Sequence, residues 1–187
     1  MPVASTGLTL DEVLDLLHVG AHVPLGPGAG VSQLDHALQT AALLAATHPG
    51  DAELVAAGLV HDIGHVLSGV NDDGHARAGA DAIRAALGER VAALVGLHVA
   101  AKRFLVATDP TYGDVLAPDS AASLERQGGI LDATEATAFR AGPLAGAALA
   151  LRQADDGAKD ERVRVVGLRH WVPLLRMLSD EDGRAGA

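Results

Sequence analysis

The chain has 187 residues, which suits one compact domain with a hydrophobic core, and apolar residues make up 49% of it. Its formal net charge is −10 at pH 7 and it contains no cysteine. The acidic balance argues against a general binder of nucleic acids or anionic membranes, and the missing cysteines exclude disulfides, thiolate nucleophiles and cysteine-based zinc sites. An anionic small substrate is still compatible with this charge, because it feels only the local potential.

The start of the chain lacks the basic segment and apolar core of a signal peptide. No apolar run of the ~20 residues that a membrane span requires occurs without polar interruption. The sequence therefore predicts a cytoplasmic protein with no membrane or nucleic-acid partner, acting as a monomer or a weak homo-oligomer.

Five helices are predicted in the first half of the chain. Thr9 and Glu12 form a capping box before an apolar stripe, Ser32 is a suitable N-cap, and Gly88 is well placed just beyond the end of a helix. Together with the apolar periodicity, these signals predict helices over about residues 9–19, 32–47, 51–66, 75–87 and 89–106. A turn-rich loop at residues 67–74 separates the third helix from the fourth.

The second half predicts shorter helices separated by turns. An irregular stretch is expected at residues 107–119, Asp132 is a suitable N-cap, and Pro143 suits the first position of a helix. Helices are expected over about residues 120–127, 135–140, 143–156 and 167–178. With no internal repeat and few strand patterns, we predict an all-α, single-domain bundle covering residues 1–187. Its metal-binding core would span about 31–160 and its C-terminal helix about 167–179.

Five of the nine histidines lie on, or at the start of, four consecutive predicted helices. A lone histidine on an apolar face is usually a hydrogen-bonded core residue. Five of them on packed helices, one followed by an aspartate, favour a metal site instead, because helical bundles assemble metal sites from facing side chains. These residues are His36, His61, His65, His75 and His98, with Asp62 next to His61.

The stretch "GLVHDIGH" holds the densest part of this set. Adjacent helical residues differ by about 100° in direction, so His61 and Asp62 would take different positions around one metal, and Asp62 could bridge to a second. His65 follows one turn later and could be a ligand, a hydrogen-bonding neighbour of a ligand or a substrate contact. The spacing superficially matches the His-Glu-x-x-His zinc helix, but aspartate stands where that mechanism uses glutamate, so this interpretation ranks low.

The order of these residues resembles the HD-domain superfamily, a helical fold of metal-dependent phosphohydrolases with a smaller branch of mixed-valent di-iron oxygenases that includes myo-inositol oxygenase. Five stretches narrow the resemblance to the HD-domain oxygenases of phosphonate degradation, which use O2 to cleave the C–P bond of 1-hydroxyphosphonates. These stretches are "QLDHALQTAALL", "AAGLVHDIGH", "GLHVAAKRFLV", "SLERQGG" and "LRQADDGAKD". The resemblance covers about residues 31–178.

The resemblance implies two iron ions in a mixed-valent Fe(II)/Fe(III) state, with O2 as co-substrate. It implies that one iron is held by His36, His61, Asp62 and Asp155, and the other by Asp62, His75 and His98, with Asp62 as the bridge. The choice of Asp155 over the adjacent Asp156 rests on the family's pattern alone. Ligation by histidine and carboxylate suits iron but does not exclude Mn, Co or Zn.

The resemblance also implies a small anionic phosphonate as substrate. It implies that His65 contacts the substrate hydroxyl, which makes Asp62 and His65 the catalytic residues. The implied phosphonate contacts are Lys102, Ser120, Gln127 and Arg152. This set makes chemical sense, because lysine and arginine neutralise a phosphonate dianion while serine and glutamine add directed hydrogen bonds.

Lys102 and Arg103 have a simpler interpretation as the solvated, basic end of a helix, where their charges complement the helix dipole. Beside the candidate metal ligands, we favour the functional interpretation for Lys102 and keep the simpler one for Arg103.

The sequence departs from the family just before the first ligand. The relatives usually carry Tyr-x-x-Glu there, with the Tyr capping the O2-side iron and the Glu holding the substrate's amino group. Gly26 and Ala29 stand at the matching positions. We therefore predict a 1-hydroxyalkylphosphonate without the amine as substrate, with phosphate and a carboxylic acid as products. Tyr112, the only tyrosine, lies in a distant loop and is expected to pack in a turn.

Two other functions stay open. One is an HD-type phosphohydrolase in which metals activate water against a phosphate ester or nucleotide. The other is a non-catalytic binding protein that retains the helical scaffold. The second is less favoured, because all six candidate ligand positions are filled.

Overall fold

The structure is a computed structural model that describes residues 7–26, 28–67, 74–116 and 118–185. Within these ranges the chain forms helices and no β-strand, apart from an isolated bridge between Pro24 and Ser32. The predicted all-α class is therefore confirmed. The α-helices are α1 (Leu10–Gly20), α2 (Gln33–Thr47), α3 (Ala52–Val60), α4 (His75–Thr108), α5 (Pro110–Val115), α6 (Pro118–Arg126), α7 (Ala133–Ala141), α8 (Ala145–Gly157) and α9 (Leu168–Ala185).

Local capping signals start several of these helices where the sequence places them. Thr9 and Glu12 form the expected capping box of α1, and Ser32 caps α2. Asp132 caps α7, also in a capping box. Each such cap satisfies backbone N–H groups that the first helical turn leaves without a partner.

Gly88 divides α4 into two arms, as the prediction of two separate helices requires. Its φ of 84° lies where side chains other than hydrogen are strained, so glycine permits the break. We call residues 75–87 the first arm and residues 89–108 the second arm. The second arm extends past its predicted end, so Lys102 and Arg103 do not lie in its last turn.

The predicted C-terminal end of the third helix, at about residue 66, is wrong. The chain leaves the α-helical conformation at Asp62, where φ is −100° and ψ is 9°, and continues as a 3-10 turn at Ile63–His65. A Cβ built on Gly64 would lie only 2.0 Å from the carbonyl oxygen of His75. The turn therefore approaches the start of α4 more closely than any residue with a side chain would permit.

The stretch predicted to be irregular contains α5. Asp109 caps this short helix by accepting a hydrogen bond from the amide of Thr111 at 2.9 Å, and Pro110 stands at its first position. An Asp-Pro start is a known N-terminal signal that the prediction passed over. The loop predicted at residues 67–74 falls mostly on residues 68–73, which lie outside the described residues.

The core lies where α2, α3, α4 and α8 pack together, and α9 packs on α3 and α4. Its apolar side chains are almost entirely alanine, leucine and valine, which permits close approach of the helices. His36, His61 and His98 are buried within this interior. Buried imidazoles need polar partners, so the packing of these helices also builds a polar cluster.

By length and composition, α4 could cross a membrane, and it is the one helix within the described ranges that could. Core helices of soluble proteins pass the same test. In this structure α4 is broken at Gly88 and packs against α3, α8 and α9, so its composition is weak support for a membrane span.

Candidate metal centre

Four parts of the fold bring together six side chains of types that can bind a metal: α2, the turn after α3, both arms of α4, and α8. These side chains are His36 on α2, His61 and Asp62 in the turn, His75 and His98 on the two arms, and Asp155 on α8. They are the six residues that the sequence singles out as candidate ligands. Helix packing thus makes neighbours of His36 and Asp155, which lie far apart in the sequence.

One part of the cluster surrounds the Nε2 atom of His36. This nitrogen lies 3.1 Å from Nε2 of His61, 3.3 Å from Oδ1 of Asp155 and 3.7 Å from Oδ2 of Asp62. Nε2 of His36 therefore lies within 3.7 Å of three other potential ligand atoms of the types that bind transition metals, and His36, His61 and Asp62 form one group that could hold an ion.

The other part surrounds Oδ1 of Asp62. Nε2 of His75 lies 3.7 Å from this oxygen and Nε2 of His98 lies 3.6 Å from it, while the two ring nitrogens are 3.0 Å apart. Asp62 therefore belongs to two groups of possible ligands, one with His36 and His61 and one with His75 and His98. A carboxylate shared by two such groups has two oxygens and could bridge two metal ions.

The hydrogen bonds of the histidines leave their Nε2 atoms available to a metal. Nδ1 of His36 lies 2.9 Å from the carbonyl oxygen of Ala158, and Nδ1 of His61 lies 2.9 Å from that of Gly58. A carbonyl can only accept, so each Nδ1 carries the proton and, in the neutral ring, each Nε2 carries a lone pair. Nδ1 of His98 makes the same kind of bond to Val95 at 2.7 Å.

Two such lone pairs facing each other across 3.1 Å repel unless a proton or a metal cation lies between them. Two nitrogens held about 2.1 Å from one ion at a right angle would be about 3.0 Å apart. The residues present therefore fit a metal ion in their types, their hydrogen bonding and their spacing.

The protonation states also fit metal binding. Burial lowers the pKa of His61, and it lowers the pKa of His98 to about 3, so both rings are neutral near pH 7. Burial would raise the pKa of Asp155, but the charge of Arg152 and the hydrogen bond with His36 hold it well below its usual range. Burial opposes the charge of His36 too, yet Asp155 raises its pKa, so in the absence of metal a proton can occupy this position.

His65 lies beside the cluster rather than within either ligand group. Its ring stacks on that of His75 with centroids 4.0 Å apart, and its Nε2 is 4.0 Å from Oδ1 of Asp62. The side chain is 27% exposed and lines the adjacent cavity. This position suits a contact to a ligand better than a place among the metal ligands.

A cavity of about 480 Å³ opens next to the cluster. Its wall carries four cationic side chains, against the carboxylates of Asp62 and Asp155. The cations are Lys102, Arg126, Arg152 and Lys159. Although the whole chain is acidic, this cavity is locally cationic and therefore suits an anionic small molecule.

Lys102, Ser120 and Gln127, three of the predicted phosphonate contacts, line this cavity. The ammonium of Lys102 is buried and donates to Oγ of Ser123 at 2.8 Å and to the carbonyl oxygen of Ser120 at 3.2 Å. Oε1 of Gln127 is buried and makes no hydrogen bond within the described part of the chain. A polar atom in this state favours a cavity that takes up a polar ligand.

Arg103 faces away from this cavity. Its guanidinium donates to the carbonyl oxygens of Gly129 at 2.7 Å and Gly128 at 3.0 Å, and it lies 3.6 Å from Glu135. The prediction that Arg103 complements the dipole at the end of its helix is wrong, because the helix continues beyond Arg103. Its side chain instead stabilises the turn that follows α6.

Arg152 also lines the cavity, but its guanidinium is held by acidic neighbours. Nη1 of Arg152 lies 2.8 Å from Oδ2 of Asp155. Its Nε donates to Oδ2 of Asp156 at 3.1 Å and to the hydroxyl of Tyr112 at 3.0 Å. Tyr112 donates to Asp156 in turn, so the expected turn-packing role does not describe it. Burial and the charge of Asp156 raise the pKa of Tyr112, although Arg152 opposes them, so its hydroxyl is neutral and can donate.

Several cavity residues, among them Lys159, Ser123 and Arg126, were not predicted from the sequence. The ammonium of Lys159 lies 3.3 Å from Oδ1 of Asp155 and 3.3 Å from Oγ of Ser120, and Ser123 accepts the hydrogen bond from Lys102. Lys159 follows Asp155 by four residues, which is one helical turn, so this spacing could have pointed to it. Nothing in the sequence pattern marks Ser123.

Gly26 and Ala29 stand where the family usually carries Tyr and Glu, and they lie in different places relative to the cavity. Gly26 lines the cavity, whereas Ala29 is exposed and does not appear on its wall. Asp62 and Asp155 are the acidic residues of that wall within the described part of the chain. Among the side chains that the structure describes, an ammonium group in this cavity would therefore meet no carboxylate outside the cluster.

The sequence is similar to an established domain family and to two characterised kinds of enzyme. It matches the HD domain family over residues 34–116. It is 37% identical over 150 residues to hydroxymethylphosphonate dioxygenase of Gimesia maris, covering 75% of this chain and 74% of that protein. It is 32% identical over 162 residues to the glycine-betaine-forming 1-hydroxy-2-(trimethylamino)ethylphosphonate dioxygenase of Leisingera caerulea, covering 82% of each. The chain therefore belongs to the HD-domain phosphonate dioxygenases.

Proposed function

We propose that this protein uses two iron ions and O2 to cleave the C–P bond of a small 1-hydroxyalkylphosphonate that carries no amino group. The products would be phosphate and a carboxylic acid. The observation that carries the proposal is a cationic cavity of about 480 Å³ that lies next to two ligand groups sharing Asp62.

His36, His61, Asp62 and Asp155 would hold one ion, and Asp62, His75 and His98 the other. Bound iron supplies the redox chemistry that oxidative C–P cleavage by O2 requires. The protein's own contribution is to present imidazole nitrogens and carboxylate oxygens from a buried scaffold, with the rings of His36, His61 and His98 oriented by hydrogen bonds to backbone carbonyls. His65, beside Asp62 and partly exposed to the cavity, is placed to hydrogen-bond the substrate hydroxyl.

The phosphonate would bind between Lys102 and Lys159. Both lysines contact Ser120, Lys102 through the carbonyl oxygen and Lys159 through Oγ. Two ammonium groups that contact the same serine can neutralise and orient a dianion. Gln127 contributes an amide to the same wall.

A substrate without an amine fits this cavity best. Within the described part of the chain its acidic lining residues are Asp62 and Asp155, and both belong to the cluster, so these residues offer an ammonium no separate partner. The Gimesia maris relative is named for hydroxymethylphosphonate, which is amine-free, and the Leisingera caerulea relative for a trimethylamino substrate. The lining residues favour the first substrate class for this chain.

The test is anaerobic reconstitution with Fe(II), followed by exposure to O2 with hydroxymethylphosphonate, 1-hydroxyethylphosphonate or 1-hydroxy-2-aminoethylphosphonate. Phosphate release and O2 uptake are measured together. We expect phosphate release to track O2 uptake, with kcat/KM at least about tenfold higher for the amine-free substrates, a difference of about 1.4 kcal/mol.

Two outcomes would contradict the proposal. Equal kcat/KM for the amino and amine-free substrates would show that the cavity does not select against an ammonium. Phosphate release from phosphate esters under nitrogen, with no O2 uptake on any phosphonate, would identify a phosphohydrolase instead.

A further inference from the structure

We propose that Tyr112 and Asp156 are positioning residues that orient Arg152, which in turn directs one oxygen of Asp155 into the metal cluster. The inference rests on the proposed metal binding and concerns two residues, Tyr112 and Asp156, that the sequence pattern does not assign to the site.

The chain of contacts begins at Asp155, whose two oxygens have different partners. Oδ2 lies 2.8 Å from Nη1 of Arg152, while Oδ1 lies 3.3 Å from Nε2 of His36, 3.9 Å from Nε2 of His61 and 3.3 Å from Nζ of Lys159. Arg152 thus fixes the rotation of the carboxylate and turns Oδ1 toward the two histidines, where a bound metal would compete with Lys159 for it. Carboxylate ligands are commonly held in this way by a hydrogen bond to the second oxygen.

The orientation of Arg152 is set from its other side. Nε of Arg152 donates to Oδ2 of Asp156 at 3.1 Å, and Nη2 of Arg152 donates to Oδ1 of the same carboxylate. This two-point contact matches the planar guanidinium to the planar carboxylate, so it fixes direction as well as position. Asp156 therefore fixes the orientation of the guanidinium and with it the direction of Nη1 of Arg152.

Tyr112 completes the arrangement from a different element. Its hydroxyl donates to Oδ2 of Asp156 and accepts a hydrogen bond from Nε of Arg152 at 3.0 Å. The hydroxyl therefore contacts both members of the ion pair. The cap that Asp109 provides at the start of α5 holds Tyr112 in place beside α8.

Neither Tyr112 nor Asp156 lines the cavity next to the cluster. They would act on the reaction only through Arg152, whose side chain is 4% exposed. A role in positioning the ligand predicts an effect on metal retention. A role in holding substrate through Arg152 predicts an effect on KM instead.

The experiment compares Tyr112→Phe and Asp156→Asn with the wild-type holoenzyme. Iron per chain is measured after dialysis against increasing chelator concentrations, and kcat and KM are measured on hydroxymethylphosphonate. Removing a group that orients a metal ligand typically weakens metal affinity by about 10- to 100-fold. We expect one of the two irons to be lost at roughly tenfold less chelator in each variant, with KM changed by less than about twofold.

Matched controls separate this effect from general disturbance of α5 and α8. Thr111→Val removes the neighbouring hydroxyl, which bonds to Asp109, and Asp160→Asn neutralises a carboxylate that pairs with Arg162 at the surface. Both controls should retain iron as the wild type does. Tyr112→Phe removes a single oxygen atom, so it keeps the test valid if Asp156→Asn folds poorly.

The inference is overturned if Tyr112→Phe retains both irons as the wild type does, or if its KM rises while iron retention is unchanged. Both results leave the proposed function standing. A wild-type protein that binds fewer than two irons under anaerobic reconstitution would overturn the proposed function itself.

Discussion

Asp155 and Asp156 are adjacent in sequence yet have different surroundings. Asp155 turns Oδ1 toward His36, whereas both oxygens of Asp156 contact Arg152 and one also contacts Tyr112. Neighbouring helical residues differ by about 100° in direction, so only one of the two can face the cluster. The geometry supports the choice of Asp155 as a ligand, which the residues alone left open.

Lys102 offers a direct test at the residue scale. Lys102→Met should raise KM for a phosphonate by about 10- to 100-fold, because a hydrogen bond to a charged group contributes about 1.5–3 kcal/mol. Steady-state kinetics at fixed O2 would measure the change. Arg84→Met is the matched control, since it removes a cation from the same helix that pairs with Asp81 and Glu89 at the surface. Equal changes in the two variants would contradict a phosphonate contact.

At the scale of elements, the turn after α3 determines how the two halves of the cluster meet. The α-helical stretch that the sequence predicts through residue 66 instead ends at Val60, and His61 and Asp62 lie in the turn that follows. This turn places Asp62 between His36 on α2 and the two histidines of α4. The turn can lie this close to the first arm of α4 because Gly64 has no side chain to meet the carbonyl oxygen of His75.

Two glycines of this segment provide a matched comparison. Gly64→Ala should lower the free energy of unfolding by about 2–3 kcal/mol and release iron, because its Cβ would clash with backbone that cannot move without displacing His75. In Gly58→Ala the new Cβ would lie 2.5 Å from Cδ1 of Leu44, the end of a flexible side chain, so we expect a cost of about 1 kcal/mol with iron retained. Urea unfolding and iron analysis measure both effects. Iron retention by Gly64→Ala equal to that of Gly58→Ala would show that this contact does not position His75.

At the scale of the whole molecule, the cluster joins elements from both ends of the chain. His36 lies on α2 and Asp155 on α8, and the buried carboxylates and imidazoles between them carry charge into an apolar core. Buried charges are costly unless they are paired or bind a metal. Metal binding should therefore stabilise the fold as well as supply chemistry.

Thermal unfolding tests this coupling. Fe(II) added anaerobically to metal-free protein, at about 100 times its Kd, should stabilise the fold by about 2.7 kcal/mol and raise Tm by about 5–10 °C. Differential scanning calorimetry would measure the shift. Asp62→Asn should lose most of it, because both ligand groups share this carboxylate. A full shift in Asp62→Asn would place the stabilising metal elsewhere.

Some expectations about the whole molecule stay predictions. These are the cytoplasmic location, the monomeric or weakly oligomeric state, the absence of membrane and nucleic-acid partners, and the division into a core of about 31–160 and a C-terminal helix of about 167–179. The family and the helical class are confirmed.

Local sequence was enough for the helical class, most helix starts and the candidate ligands. Capping residues such as Thr9 and Ser32, apolar periodicity and the break at Gly88 act within one or two helical turns, so neighbouring residues carry the information. The ligand types and their order point to the family for a similar reason, because they can be recognised one by one along the chain.

The contacts between distant elements required the tertiary structure. The turn at Asp62 depends on the approach of Gly64 to α4, and the partners of Arg152 depend on α5 lying beside α8. Lys159 and Ser123 join the cavity wall because the segment after α8 lies against α6, where Nζ of Lys159 contacts Oγ of Ser120. Such contacts form between residues far apart in sequence, and the packing of the buried helix faces, rather than any local preference, determines which side chains meet.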